Sequence, residues 1–202
     1  DVPWEEVADL LNETVIKPAP EFKHKVAILA FGRPDELTLA QSFTDDATQL
    51  GNILDVLATS DGLGTTDLYG AYIQGLFQVD AVGDPNKVVE RFLVLISDGT
   101  HEAGNETVLR EDALAAKKAS IATKYTIGIR GDYDSCKLEE LAGSPETGCG
   151  DGLRGCRVGL LCDPSKETPA SCTQFQADVD QNALEAAFES IAARATGIAR
   201  SN

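Results

Sequence analysis

Two stretches of this 202-residue chain decide its fold, GTTDLYGA at Gly64–Ala71 and FLVLISDGT at Phe92–Thr100. The first opens a helix with two threonines, and the second is an apolar strand that ends abruptly at an aspartate and a glycine. In an α/β domain both stretches would lie at the carboxyl edge of the sheet, where such folds bind ligands. Hydroxyl and carboxylate oxygens at that edge predict coordination of a hard cation, Mg²⁺ or Ca²⁺.

The rest of the chain alternates between apolar strands and amphipathic helices. Four strands are predicted by apolar or alternating runs, at Lys25–Phe31, Leu37–Phe43, Arg91–Ile96 and Ile121–Ile129. Helices are predicted by apolar residues at helical spacing, at Trp4–Ile16, Asp45–Leu57, from Leu68 through Leu76, and at Thr107–Ala119, Leu138–Ala142 and Val179–Ile198. This alternation predicts a single α/β domain, residues 1–202, with a doubly wound, mostly parallel sheet flanked by helices.

A cysteine-rich segment, residues 143–173, interrupts this pattern and is too long for a simple connection, so we expect an insertion loop. Zinc sites usually contain close Cys-x-x-Cys pairs, which are absent here, so disulfides are favoured over metal binding or free thiols. The disulfide candidates are Cys136, Cys149, Cys156, Cys162 and Cys172. Because five is an odd number, one cysteine is expected to be free or to pair with another chain.

Disulfides predict an oxidising compartment, either extracellular or at the cell surface. The sequons at Asn12 and Asn105 are candidate glycosylation sites and fit a secreted protein. The chain has no methionine and begins at Asp1, which predicts a processed, clipped or excised polypeptide. It has no run of about 18 apolar residues, so no membrane span is expected.

The formal net charge of −16 excludes some partners and some chemistry. A surface this acidic repels phosphate backbones, so nucleic-acid binding is disfavoured. Acidity suits either cation binding or plain solubility, and a solvated surface explains it most simply. No GxSxG elbow, P-loop or HExxH motif is present, so we expect no enzymatic activity.

In order and spacing, the predicted elements resemble those of von Willebrand factor type A domains. The most specific pieces are GTTDLYGA and FLVLISDGTHEAG, and the resemblance covers nearly the whole chain except the cysteine-rich segment. It implies an adhesion module that recognises a protein or glycan ligand through a divalent cation. The alternative is a scaffold domain of a surface filament or matrix that uses the fold without a functional metal site.

The resemblance also implies roles for particular residues. Thr65 and Asp98 match the family's metal-binding threonine and aspartate, and the rim around the cation would consist of Thr66, Asp67, Thr100, His101 and Glu102. Simpler roles stay open for several of them. The threonines could cap a helix that starts at Asp67, Asp98 could cap the next helix, and the histidine and glutamate could be solvated surface.

One piece of the family pattern is not in this sequence. The Asp-x-Ser-x-Ser triplet and the strand that carries it would lie just upstream of Trp4. Because that strand is central in the family's sheet, its absence is expected to leave two strand edges unpaired in the core and the domain unstable alone. We expect the strand to be supplied by a cleaved upstream peptide or a partner chain, or simply to be missing from this sequence.

Overall fold

The computed structural model describes residues 4–22, 24–32, 38–59, 66–82, 90–97, 106–129, 135–142, 174–177, 184–189, 191–193 and 195. The helices in these ranges are α1 (Trp4–Leu11), a π-helical turn (Asn12–Ile16), α2 (Ala19–Phe22), α3 (Ala47–Ala58), α4 (Leu68–Ala81), α5 (Glu106–Ala119) and α6 (Ser135–Leu141). Residues 184–189 and 191–193 are also helical and are called the C-terminal helical segment. The strands are β1 (Val26–Ala30), β2 (Thr38–Thr44), β3 (Phe92–Ser97), β4 (Thr123–Ile129) and β5 (Gln174–Ala177).

The five described strands form two sheets rather than one. Strand β1 pairs antiparallel with β2, while β3, β4 and β5 form a parallel sheet in that order. Within the described residues, β1 therefore has only β2 as a strand neighbour, and β3 has only β4. We call the two edges that face away from these neighbours the inner edges.

Side chains of β3 alternate between two apolar clusters, as the period of a strand requires. Leu93 and Leu95 pack with α4 and α5 on one face of the sheet. The other face packs against α1 and the C-terminal helical segment through Phe92, Val94 and Ile96. Helices thus cover both faces, which confirms the predicted α/β architecture.

Helices α1 and α4 connect the two sheets. On one face, Val7 of α1 packs in the β3–β4 cluster, whereas Ala8 of the same helix packs in the cluster of α3 and β1. Leu11 contacts both clusters. On the other face, Phe31, which directly follows β1, and Leu93 of β3 belong to the α4 cluster. The two sheets are therefore held together by shared helices, one on each face.

Hydrogen bonds at the two ends of α4 fix the relative direction of β1 and β3. The backbone N–H of Asp67, just before α4, donates to the carbonyl oxygen of Gly32, just after β1, at 2.6 Å. At the other end, the Arg91 guanidinium, just before β3, donates to the Val82 carbonyl at 3.1 and 2.9 Å. Strands β1 and β3 consequently both run antiparallel to α4, and so they run in the same direction as each other.

The first predicted helix is the element whose form differs most from expectation. A continuous helix over Trp4–Ile16 was expected, but α1 ends at Leu11 and a π-helical turn follows, closed by the Lys17 N–H donating to the Asn12 carbonyl. The ring of Pro18 would clash with the carbonyl of Thr14 in a regular α-helix, which explains why the α-helix does not continue. The other predicted helices and strands with described ends differ from the observed bounds by a few residues.

Lys124 of β4 is a buried cation at the end of α5 away from the candidate site. Its Nζ donates to the carbonyl oxygens of Ser120 at 2.8 Å and Lys117 at 3.2 Å, at the C-terminal end of α5. A positive charge is favourable there because of the helix dipole. Burial lowers the pKa of Lys124, and the nearby carboxylate of Asp80 opposes that shift.

Replacing Lys124 should therefore destabilise the fold. We expect Lys124→Met, which keeps the alkyl chain, to lower the free energy of unfolding by about 1.5 kcal/mol in urea titrations, because two carbonyls lose a charged donor. Lys118→Met, which removes the same charge from the exposed side of α5, should change it by less than about 0.5 kcal/mol.

The Lys124 effect should also depend on pH. Because the pKa of Lys124 is lowered in the folded state, the unfolded chain binds this proton more tightly, and stability rises with pH in that range. The stability difference between wild type and Lys124→Met should therefore increase as the pH rises through the lowered pKa of Lys124 towards the ordinary lysine pKa of 10.5. A difference that stays flat over that range would contradict the burial argument.

Candidate functional site

The candidate site is the carboxyl edge of the sheets, where β1 and β3 both end. The hydrogen bond from Asp67 to Gly32 anchors the start of α4 to the end of β1. Ser97 is the last residue of β3, immediately precedes Asp98, and is buried. Since β1 and β3 run in the same direction, the start of α4 and the end of β3 lie at the same edge. Thr66, which is partly exposed, lies at this edge too.

Asp67 caps α4. Its side chain is only 5% exposed, and Oδ1 accepts a hydrogen bond from the backbone N–H of Gly70 at 3.0 Å. The sequence had suggested Thr65 or Thr66 as the cap of a helix starting at Asp67, but the helix starts at Leu68. A carboxylate at this position is favoured because it both accepts the N–H and carries a negative charge at the positive end of the helix dipole.

Gly70 gives the Asp67 carboxylate its space. A Cβ atom at Gly70 would collide with that carboxylate, with Oδ2 the nearest atom. We therefore expect Gly70→Ala to displace the cap and lower the free energy of unfolding by about 1–2 kcal/mol, measured by urea titration.

The matched control is the same substitution in another helix. At Gly51 of α3 a Cβ atom would lie 3.5 Å from Oδ1 of Asn12, an ordinary contact. Because alanine favours helix over glycine, Gly51→Ala should stabilise the protein by about 0.5–1 kcal/mol. If Gly70→Ala were equally stabilising, the cap described for Asp67 would be wrong.

Many of the residues predicted from the sequence lie outside the described residues, and their roles stay predictions. These are Thr65, Asp98, Thr100, His101, Glu102, Asn105, Cys149, Cys156, Cys162 and Cys172. Cys136 belongs to α6, but its side chain is outside the described part, as is the whole of segment 143–173. Among the residues that are described, no group of three or more His, Cys, Asp or Glu side chains could hold a metal ion.

Two further sequence predictions concern the described surface. Asn12 starts the π-helical turn and its side-chain amide lies against Gly51 of α3, so this sequon is in a helical segment rather than a loop. Glycosylation of this asparagine stays a prediction. In the described ranges, the helices are all too short or too polar to cross a membrane.

Sequence reasoning missed the roles of two buried polar residues, one just before α4 and one within it. Asp67 was expected at the rim of the site rather than as the buried cap of α4, although an aspartate just before a helical pattern is a known capping signal. Tyr72 of α4 is buried and its hydroxyl donates to the Leu141 carbonyl of α6 at 2.8 Å. Burial raises the pKa of Tyr72 far above its usual range, so it stays protonated and keeps this bond. No sequence pattern predicts such a long-range contact.

This architecture is that of a von Willebrand factor type A domain. A solved von Willebrand factor type A structure from Catenulispora acidiphila superposes with a TM-score of 0.61 at 14% identity, over 94% of this chain and 38% of that one. Proximal thread matrix protein 1 from the mussel byssus gives a TM-score of 0.58 at 13% identity, over 94% of this chain and 40% of that one. The predicted fold is thus confirmed.

These similarities are limited to the fold. At 13–14% identity, they do not extend to activity or ligands. This chain also spans only about two fifths of the length of each of these solved chains. No protein-family profile matches the sequence, and no curated protein matches it in sequence comparison.

Proposed function

We propose that this domain is an extracellular or cell-surface recognition module that binds a protein or glycan partner through Mg²⁺ or Ca²⁺ at the carboxyl edge. The observation that carries the proposal is the hydrogen bond from Asp67 to Gly32. It supports an arrangement in which Thr65, two residues before Asp67, lies at the edge where β3 leads into Asp98. The five cysteines and the matrix-protein neighbour support the extracellular location.

The residue types fit a hard cation because they supply oxygen ligands. Thr65 would contribute a hydroxyl and Asp98 a carboxylate. With few carboxylates in the site, the cation would stay electrophilic enough to accept an acidic side chain from the partner. The family resemblance implies that an Asp-x-Ser-x-Ser triplet would complete the ligand set. The cation would bridge two molecules, so the activity proposed is binding, without catalysis.

A cation titration tests this proposal. Mn²⁺ is a convenient paramagnetic probe for such sites, and free Mn²⁺ can be measured directly by electron paramagnetic resonance. We expect Asp98→Ala to weaken Mn²⁺ binding by about tenfold or more, which corresponds to about 1.4 kcal/mol.

The control is Asp112→Ala, which removes the same charge from an exposed position on α5. It should leave the affinity within about twofold, because a single exposed surface charge is screened by salt. Equal losses in the two variants would indicate general attraction to an acidic surface. That result, or unchanged binding by Asp98→Ala, would count against the proposed site.

The second candidate function is a scaffold domain of a filament or matrix. One specific observation favours it, the structural similarity to a matrix protein of the mussel byssus. In this case the cysteine-rich segment 143–173 would form the contact between subunits, with one intermolecular disulfide. Assembly would then be indifferent to EDTA and to Asp98→Ala but sensitive to reducing agent. For the recognition module we expect the opposite: partner binding would be lost in EDTA and in Asp98→Ala, and it would be insensitive to reducing agent.

A further inference from the structure

The C-terminal end of α6, which leads into the cysteine-rich segment 143–173, is held by side chains from three other elements. Carbonyl groups in the last turn of a helix often lack partners within that helix. In α6, three such carbonyls accept hydrogen bonds from side chains elsewhere in the domain. The donors are the Thr126 hydroxyl of β4 to Leu138 at 3.1 Å, the Lys117 ammonium of α5 to Glu140 at 2.7 Å, and the Tyr72 hydroxyl of α4 to Leu141 at 2.8 Å.

The chain returns from the segment beside one of these donors. Strand β5 begins at Gln174, directly after the segment, and pairs in parallel with β4 so that Gln174 lies opposite Thr126. Thr126 is fully buried, and its hydroxyl bonds the end of α6 while its backbone neighbours the start of β5. Both ends of segment 143–173 are thus attached to the domain beside a single residue of β4.

These contacts set an upper limit on the distance between the two ends. The Leu138 carbonyl oxygen also accepts the backbone N–H of Ala142, the residue just before the segment, at 3.0 Å. Given the 3.1 Å bond from Thr126 and the usual spacing of neighbouring strands, the Cα atoms of Ala142 and Gln174 are no more than about 15 Å apart. About five extended residues would span that distance, whereas the segment has about 30.

The apolar contacts at the two attachment points also come from the described elements around them. Leu138 and Leu141 of α6 pack in one cluster with α4 and α5. On the other face of the sheet, Tyr125 and Ile127, which flank Thr126 in β4, pack with α1 and the C-terminal helical segment. Hydrogen bonds and apolar packing from these elements therefore hold α6 and β4 in place.

The position of Thr126 separates the segment from the candidate site. Thr126 lies in the middle of β4, about 10 Å before the carboxyl end of that strand. Strand β5 lies on the side of β4 opposite β3, the strand that leads into Asp98. The segment is therefore attached at the flank of the sheet, away from the edge where β1 and β3 end.

We propose that segment 143–173 is a separable appendage of this domain, held beside Thr126 and required neither for the fold nor for cation binding. A contact made through the segment then leaves the carboxyl edge free, so that one molecule can engage two partners at once. The independence from cation binding rests on the proposed function. The independence of the fold rests on the contacts around Thr126 alone.

Replacement of the segment within the full chain tests the proposal, in reducing buffer so that disulfides play no part. One variant carries a Gly-Ser linker of six residues, enough to span about 15 Å. The matched control carries a Gly-Ser chain as long as the segment. In urea titrations the control should keep the folding equilibrium constant of the wild type within about threefold. The short linker should raise it by about tenfold, because closing a shorter loop costs less entropy.

Two results would overturn the proposal. If neither variant unfolds cooperatively, the segment is part of the fold. If the control folds and the six-residue variant does not, the two ends are farther apart than the contacts around Thr126 allow. Amide NMR spectra check the same point, since shift changes should be confined to the surroundings of Ala142 and Gln174. Changes throughout β1 and α3 would also overturn the proposal.

Mn²⁺ titration of the six-residue variant tests the independence from the candidate site. The segment has four acidic and three basic residues, so its removal hardly changes the net charge. The Mn²⁺ affinity should therefore stay within about twofold of that of the wild type. A loss of about tenfold or more in a folded variant would overturn this independence. If the wild-type chain itself binds no Mn²⁺, the proposed function fails, and the urea titrations still decide whether the segment is separable.

Discussion

Phe188→Ala is expected to lower the free energy of unfolding by about 3–5 kcal/mol, the usual cost of removing a buried phenylalanine ring. Phe188 belongs to the C-terminal helical segment and is fully buried. It packs in one cluster with Val7 of α1 and with Tyr125 and Ile127 of β4. Removing the ring would leave a cavity between three elements that cannot all move together to fill it. Urea titration followed by circular dichroism measures the effect.

Phe77→Ala is the matched control, since it removes the same ring from α4. Phe77 is 66% exposed, so its replacement should change the free energy of unfolding by no more than about 0.5 kcal/mol. The difference between the two variants then reports burial rather than loss of a phenylalanine. A mild effect for Phe188→Ala, similar to that for Phe77→Ala, would mean that the C-terminal helical segment does not cover the sheet.

Arg110→Met should cost about 2–3 kcal/mol because it leaves a largely buried carboxylate without its partner. Arg110 of α5 donates to Glu140 of α6 through Nε to Oε2 at 2.7 Å and through a second bond from Nη2 to Oε1. The Glu140 side chain is 11% exposed and that of Arg110 is 32% exposed. The hydrogen bond that Arg110 donates to Glu140 raises the pKa of the Arg110 guanidinium, so the charge persists at all working pH values. Thermal and urea unfolding measure the loss.

An exposed ion pair serves as the control for this variant. Lys17 and Glu13 form a pair one helical turn apart in which both side chains are more than half exposed. Lys17→Met should cost less than about 0.5 kcal/mol. The double variant Arg110→Met/Glu140→Gln should recover part of the loss, because the buried charge is then gone as well. If the double variant were no more stable than Arg110→Met, a buried unpaired carboxylate would not be the cause.

The Arg110 pair also matters for the position of the cysteine-rich segment. Segment 143–173 begins two residues after the end of α6 at Leu141. Helix α6 is held by the bonds from Arg110 and by Lys117, whose Nζ donates to the Glu140 carbonyl at 2.7 Å. The C-terminal end of α6, after which the segment begins, is therefore held in place by side chains of α5. In the scaffold alternative, this point would set the geometry of contacts between subunits.

Most of the fold could be predicted from sequence because its strands carry strong local signals. The runs KVAILAF and FLVLIS are continuous and rich in branched residues, and these became β1 and β3. Strand β5 was not predicted. Its sequence QFQA has only four residues and alternates with glutamine, so no window contains enough apolar residues to distinguish it from a loop. Its pairing with β4 is a tertiary contact that local patterns do not encode.

The candidate site shows the same division between local and tertiary information. The order of GTTDLYGA and FLVLISDGT placed a helix start and a strand end at one edge, and the hydrogen bond from Asp67 to Gly32 agrees with that placement. Sequence alone did not distinguish Asp67 from the threonines as the cap, because aspartate and threonine are both good caps. The backbone contact with Gly32 sets where the helix begins. The proposed ligands Thr65 and Asp98 come from the family resemblance, and they stay predictions.

The inner edges of β1 and β3 also bear on how this molecule behaves when it is crowded by its own copies. Apolar strand edges act as templates for pairing between molecules, and so promote aggregation. The net charge of −16 opposes this because copies repel one another before the edges can meet. That repulsion extends over about 8 Å at physiological ionic strength and shrinks as salt is added. The acidic surface thus gives the domain colloidal stability that its divided sheet would otherwise lack, and concentrated salt removes that protection.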